Sequence, residues 1–283
     1  VIRVRKLESF DAPELAPYKS LRQQRDHLDQ RIFVAEGEKV VRRFLESDFT
    51  VVSAVMPEQW FFALRPLLEA RPEPDLPVYL AEKQVLEQLV GFSMYQGVLA
   101  VGKVPRTPTL ATVLTLSPKP ALFVAADELN NSENMGVLVR NCAAFGAHAL
   151  IVGETCTSPF LRRSVRASMG TIFKLPVVEA ARLVETLADL QAHGVRCIAA
   201  HPHGRERTLY EADFTSDICL VFGSEGLGLR PQVLAACDEA VAIPMHAGVD
   251  SLNVGCASAA FLAEASRQRW TDRARAAGST QPI

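Results

Sequence analysis

Five short runs in the second half of the chain are almost wholly apolar: 121–126, 149–152, 196–200, 218–222 and 240–243. A strand with one face in water alternates polar and apolar side chains, whereas a strand covered on both faces does not. Segments with helical apolar spacing fall between and after these runs, at 135–145, 179–192, 231–236 and 251–268. Both patterns are met by an α/β fold in which a parallel sheet carries helices on each side. Open sheets of this kind take ligands at the carboxyl ends of their strands. The unusual residues of the sequence collect there. They occupy 127–136 after the first run, 201–204 after the third, 223–228 after the fourth and 244–253 after the fifth. One composite site is expected.

The first half alternates more weakly. Helices are expected at 15–29, 39–46, 58–70 and 83–89, and strands at 32–35, 50–56, 78–80 and 98–101. Pro105, Pro108, Pro118 and Pro120 then interrupt both patterns, with room for a short helix at 110–116. These breaks divide the 283 residues into a smaller α/β domain, 1–104, a linker, 105–120, and the parallel-sheet domain, 121–283. Residues 274–283 carry no apolar period and are expected to lack fixed structure. No apolar run is long enough to span a bilayer, and the first residues lack the apolar core of a secretory signal, so a cytoplasmic location is expected. The six cysteines form no Cys-x-x-Cys pair and several sit in apolar runs, which suits reduced, buried thiols. A formal net charge of −2 excludes a uniformly basic nucleic-acid binder but leaves room for a local basic patch.

Three segments carry chemistry. In the first, Asn134 is placed to cap a helix, Gly136 permits close backbone approach, and Arg140 stands among Val137, Leu138, Val139 and Cys142. Arg140 is either a snorkelling or structurally paired arginine or a functional one. The second is the loop Gly223-Ser224-Glu225-Gly226-Leu227-Gly228. It lacks the Gly-x-Gly-x-x-Gly spacing of a dinucleotide site and the Lys-Ser/Thr of a phosphate loop, and Glu225 would repel phosphate. Backbone amides beside a carboxylate better suit a cationic or hydroxyl-rich ligand. The third is Ile243-Pro244-Met245, then Ser251-Leu252-Asn253, then a helix rich in Gly255, Ala257, Ser258, Ala259 and Ala260, where small side chains allow other backbones close. His201 and His203 flank one proline and suit loop polarity better than a metal, and no metal is expected.

In this order the segments resemble the SpoU/TrmH group of the SPOUT methyltransferase superfamily. The resemblance rests on Asn134, Gly136, Arg140, Ala143, Phe145 and Gly146, on the Gly223 to Gly228 loop, and on Ile243 to Val254. It also takes in Arg-Ala-Ser-Met-Gly at 166–170 before Leu175-Pro176-Val177. It covers about residues 121–268 and extends more loosely over 20–104. There Phe33 to Gly37 and Gln96 to Ala100 look like a substrate-binding domain similar to kink-turn-binding ribosomal proteins. Where many relatives have Asp-Pro before the first-motif asparagine, this chain has Asn131-Ser132-Glu133.

The resemblance implies a trefoil-knotted parallel sheet, a homodimer, and S-adenosylmethionine as cofactor with S-adenosylhomocysteine as product. The reaction would methylate a ribose 2′-hydroxyl of rRNA or tRNA. Carried over by position, the cofactor contacts are Ala199, Ala200 and His201; Gly223, Ser224, Glu225, Gly226 and Gly228; Ile243, Pro244 and Met245; and Leu252 and Asn253. Asn134, Arg140, Glu225, Ser251 and Asn253 would shape catalysis. Arg162, Arg163, Arg166 and Lys174, in a stretch from Thr155 to Val178 without acidic residues, are expected to meet RNA beside that site. Two rivals remain: a non-catalytic RNA-binding protein on the same fold, and a nucleotide-dependent oxidoreductase. The missing dinucleotide fingerprint weighs against the second.

Overall fold

The structure, a computed structural model, describes residues 2–7, 9–94, 96–202 and 207–276. It forms two compact units, one of residues 1–106 with 158–174 and the other of 107–157 with 175–283. In chain order the first unit opens with β1 (Ile2–Lys6), α1 (Ala16–Lys19), α2 (Gln24–Asp29), β2 (Ile32–Glu36) and α3 (Glu38–Leu45). It continues through β3 (Val51–Met56), α4 (Glu58–Glu69), β4 (Leu76–Leu80), α5 (Lys83–Val90) and β5 (Leu99–Lys103). The second begins with α6 (Leu110–Leu116), β6 (Leu122–Ala126), α7 (Ser132–Ala144) and β7 (Ala149–Val152). After α8 (Arg162–Ala167), which belongs to the first unit, come β8 (Val177–Glu179), α9 (Leu183–Ala192), β9 (Arg196–Ala200) and β10 (Arg207–Thr208). β11 (Ile218–Phe222), α10 (Pro231–Ala235), β12 (Glu239–Ala242) and α11 (Val254–Ala276) complete the chain. The last helix thus runs into the segment expected to lack structure.

The first unit is built on a five-stranded sheet in the order β1-β4-β3-β5-β2. β1, β4 and β3 run parallel, and β5 is antiparallel to β3 and β2. Period-two alternation sends Ile32 and Val34 into one core with Tyr18, Val55, Leu86 and Val101. Phe33, between them, points to the opposite face. There its ring meets Phe44 at 4.8 Å and Phe173 at 5.3 Å, and Phe49 and Phe160 complete the cluster. Gly102 makes room for it, since a Cβ there would overlap the rings of Phe33 and Phe44. Phe160 and Phe173 come from the excursion 158–174, so burial of aromatic surface accounts for its membership of this unit. The expected single cut in the chain leaves out this excursion.

The helix expected over 15–29 is broken into a 3-10 turn, Pro13–Leu15, and the separate α1 and α2. The carbonyl of Pro17, which the amide at position 21 would need, is taken by His27 Nε2 at 3.0 Å, and Ser20 Oγ bonds back to Ala16. β1 was not expected at all. Its Arg3, Arg5 and Lys6 are exposed on an edge strand, where charge suppresses the apolar pattern.

The second sheet has seven parallel strands in the order β10-β12-β9-β11-β6-β7-β8. Its five inner strands are the five apolar runs, and β6, β7 and β11 are buried at every position. β8 and β10 are short edge strands without an apolar signature. β8 occupies 177–179, so the helix expected from 179 begins only at Leu183. On one face Phe123, Ile151 and Val221 pack with Leu183, Leu187 and Leu190 of α9. On the other, Phe222 and Phe214 meet Phe261 of α11 at 5.7 and 6.3 Å. Arg269, also on α11, donates to the carbonyls of Pro120, Ala121, Phe214 and Ser216, tying that helix to the entries of β6 and β11.

Arg71 performs a similar service in the first unit. Its side chain is 7% exposed, pairs with Glu73, and donates to the carbonyls of Leu45, Ser47 and Phe49. Burial pushes the Glu73 carboxyl up, but Arg71 and the Val51 amide outweigh it and hold it below its ordinary range. Replacing Arg71 by alanine leaves the half-buried Glu73 carboxylate with only the Val51 amide and takes the donor from three carbonyls. The expected loss is about 3–5 kcal/mol of stability, read as a lower denaturant midpoint.

Candidate functional site

The carboxyl ends of β9, β11 and β12 open into a cleft of about 280 Å³, floored by Phe222, Val241 and Phe261. Parallel pairing delivers all three strands to the same edge, so their loops converge without any long-range folding back. Of the expected contacts, Ala200, His201, Gly223, Ser224, Glu225, Gly226, Gly228, Ile243, Met245, Ser251 and Leu252 line the cleft. Three do not: Asn253, whose amide instead meets Glu225 and Asn134, and Ala199 and Pro244, which share a reason. Ala199 sits one residue back on β9, and its side chain joins the opposite core with Phe123 and Leu187. Pro244, between Ile243 and Met245, is exposed outside the wall. Pro202, Leu227, Asp250, Val254 and Ala257 also line it and were not expected. Leu227, Val254 and Ala257 stand within the motifs, but their apolar side chains had been given no contact of their own. His203 and Gly204 lie outside the described residues.

The glycine loop is closed on itself. Ser224 and Gly228 exchange two backbone hydrogen bonds of 3.0 Å each, and Ser224 Oγ accepts from the Leu227 amide at 3.4 Å. Gly228 has φ of +70°, a left-handed conformation that disfavours other residues. At Gly223 a Cβ would collide with the backbone of Gly228 and Leu229. The two glycines thus let the loop pinch at its base.

At the mouth of the cleft three polar side chains from three elements meet. Asn134 Nδ2 and Asn253 Nδ2 both donate to Glu225 Oε1, the latter at 2.5 Å, and Asn253 also donates to Asn134 Oδ1 at 3.2 Å. Asn253 caps α11 through its Oδ1, which accepts from Gly255 at 2.8 Å. The cap of α7 is Asn131, whose Oδ1 accepts from Glu133 and Asn134, and not Asn134 as the sequence suggested. Asn134 lies in the first turn, 9% exposed, with its amide committed to Glu225. The departure at 131–133 therefore supplies the cap that frees Asn134 for the site. Close packing of α7 on α11 depends on Gly255, where a Cβ would meet Val137 at 2.6 Å, and on Asn141, which donates to Gly255 O and Ser258 Oγ.

Arg140 is exposed on α7, without an ion pair among the described residues. Six residues at about 100° each set it about 240° around the helix from Asn134, so it faces away from the triad. The expected basic cluster is divided as well, and it belongs to the first unit. Arg163 and Lys174 are exposed, and Arg166 is half exposed. Arg162 is 14% exposed, paired with Glu36 and set 4.9 Å over the Phe92 ring. Arg162 is thus a structural arginine: the acidic partner absent from its own segment is supplied by β2. Among the described residues no group of three or more His, Cys, Asp or Glu side chains is placed to hold a metal, and no helix is long and apolar enough to cross a membrane.

Behind the glycine loop lies a charged cluster that the motifs did not reveal. Asp127, fully buried at the end of β6, pairs with Arg230 Nε at 2.7 Å, and Arg230 Nη1 reaches Glu154 Oε1 at 2.8 Å. Desolvation pushes the Glu154 carboxyl up, but its hydrogen bonds to Arg230 and to the Leu183 amide dominate and bring it down to about 2.

A family model described as the SpoU rRNA Methylase family matches residues 121–263. An uncharacterized tRNA/rRNA methyltransferase of Mycobacterium tuberculosis is 35% identical over 272 residues, covering 91% of this chain and 90% of its own length. The crystal structure of the SpoU methyltransferase AviRb from Streptomyces viridochromogenes matches with a TM-score of 0.79 at 25% identity, over 92% of this chain and 99% of that one. The same enzyme has been solved in complex with the cofactor AdoMet. An RNA 2′-O ribose methyltransferase structure matches with a TM-score of 0.76 at 26% identity, over 95% and 100%. The parallel sheet, its pinched glycine loop and these likenesses define a methyltransferase. The chain belongs to the SpoU rRNA methylase family.

Two outcomes follow from the geometry. Gly223→Ala, which forces the loop base apart, is expected to lower stability by about 1–3 kcal/mol in chemical denaturation. Glu154 has a folded pKa of about 2 against an ordinary 4.5. Its contribution is therefore full above pH 4.5 and is lost as pH falls from there towards 2. The denaturant midpoint should drop across that window, and Glu154→Gln should make the drop shallower.

Proposed function

We propose that this protein methylates a ribose 2′-hydroxyl of rRNA or tRNA, using S-adenosylmethionine. The observation that carries the reading is the Asn134–Glu225–Asn253 triad at the mouth of a glycine-walled cleft. Its partners come from the three motifs that the family reading joins. Family membership and the AdoMet complex of AviRb support the cofactor, and the 2′-O ribose methyltransferase likeness supports the ribose.

The residues present fit such a cofactor. Ile243, Met245 and Leu252 offer an apolar wall for a heteroaromatic ring. The 223–228 backbone can approach a ligand closely, and the Glu225 carboxylate suits a cation. The volume lies near the lower end for small-molecule sites, about 300–1,000 Å³. Held by the 223–228 backbone with Ile243, Met245 and Leu252, S-adenosylmethionine would supply an electrophilic sulfonium methyl group whose leaving group is a neutral thioether. The chain's task is then to hold and orient the hydroxyl. Glu225 is fixed by two amides and Ser251 also lines the cleft, so both can shape the nucleophile's surroundings. Arg140 serves as a phosphate grip and not as a base, because a guanidinium offers donors and no acceptor. The hydroxyl proton passes to phosphate or solvent. Orientation alone can supply much of the rate.

The reading carries with it a trefoil-knotted sheet, a homodimer and a cytoplasmic location. Arg140 faces away from its own triad, so in a homodimer it would be offered to the neighbouring copy. The first unit would hold RNA, with Arg163, Arg166 and Lys174 as phosphate contacts, Arg166 sharing itself with Glu36.

Isotope-labelled S-adenosylmethionine incubated with unmodified ribosomal and transfer RNA, followed by digestion to nucleosides, tests the reading. Label in 2′-O-methylnucleosides supports it, and the labelled fraction names the RNA. Label on a base overturns the ribose assignment. Cofactor binding without label on any RNA favours the non-catalytic rival. Arg140→Ala should lose about a hundredfold or more in transfer while binding the cofactor as before, by titration calorimetry.

A further inference from the structure

Asp127 is fully buried and belongs to none of the three motifs. Its bonds all go to one place. Its own amide donates to the carbonyl of Phe222 at 2.8 Å. Its Oδ2 accepts from the backbone amide of Arg230 at 2.8 Å, and its Oδ1 from Arg230 Nε at 2.7 Å. Phe222 is the residue before Gly223, and Arg230 follows Leu229. One residue therefore grips both stems of the glycine loop from behind. Arg230 passes the grip on to Glu154, whose other oxygen accepts from Leu183 at the start of α9.

A buried ion pair is weak as a source of stability, because desolvation offsets most of the attraction, and apolar residues would serve as well. What such a pair does supply is fixed geometry. We propose that Asp127 is a positioning residue for cofactor binding: it sets the spacing of the two loop stems, so that the 223–228 backbone faces the cleft in one conformation. This rests on the reading that the cleft takes S-adenosylmethionine.

The test compares Asp127→Asn, Arg230→Lys and Val233→Ala with the wild type. Val233 is a fully buried core residue of α10 that does not line the cleft, and truncating its side chain lowers stability while leaving its backbone bond to Arg230 and every Asp127 bond with donor and acceptor in place. Thermal midpoints are recorded first. Affinity for S-adenosylmethionine is then measured by calorimetry well below every midpoint, and KM and kcat are measured with RNA. Asp127→Asn should weaken cofactor affinity about tenfold or more and raise KM for the cofactor in step, with KM for RNA unchanged. Arg230→Lys keeps its backbone amide on Asp127 and should lose less. Val233→Ala should bind like wild type. Affinity within twofold of wild type in folded Asp127→Asn overturns the proposal. So does an equal loss in Val233→Ala, which makes the effect one of stability, or a loss in Arg230→Lys as large as that in Asp127→Asn, which makes it one of the ion pair. A wild-type chain without affinity for S-adenosylmethionine overturns instead the reading on which the proposal rests.

Discussion

Seven strands running the same way bring all their carboxyl ends to one edge of the sheet. Everything in the candidate site depends on that. Loops distant in sequence, at 200–202, 223–228 and 241–253, meet because the strands before them end side by side. A parallel sheet must also be covered on both faces, and this one is, by α9 with its neighbours and by α11 with α7. Covering leaves little room at the strand ends, so the polypeptide there is short of side chains. Gly223 and Gly255 are required by contacts of their own backbone neighbours and of Val137 respectively. The small residues are consequences of crowding before they are features of a ligand site.

The inner strands and the three motifs were legible because burial on both faces erases polar alternation and because tight loops select glycine. Less legible was whatever depended on partners far along the chain. Arg162 read as part of a basic run, but Glu36, 126 residues away, occupies it. Asp127 stood only at the edge of the 127–136 stretch and Glu154 and Arg230 in no motif, yet the three form a charged cluster behind the site. The break in the first helical segment followed from one histidine capturing one carbonyl, a contact no propensity encodes. Strand alternation also sorted neighbours finely: Ala200 faces the cleft and Ala199 does not. A motif assigned by position includes both.

Glu225 illustrates how restraint accumulates at one atom. Two asparagine amides converge on a single carboxylate oxygen, and each asparagine is itself held: one follows the Asn131 cap, the other caps α11. Helix ends, which must satisfy loose amides in any protein, here double as the frame of the candidate site. The second carboxylate oxygen has no bond to either asparagine.

The excursion 158–174 has a consequence for how such a protein could be assembled from parts. The chain crosses between its two units at 106, again at 157 and again at 174. Neither unit is one uninterrupted stretch, and Phe160 and Phe173 in the interrupting piece complete an aromatic cluster of the first. The two halves are therefore not beads that recombination could exchange at a single joint. Cutting the gene once, anywhere in the proline-rich stretch, would strand apolar rings on the wrong fragment. The architecture favours inheritance of both units together and divergence by substitution within a fixed frame.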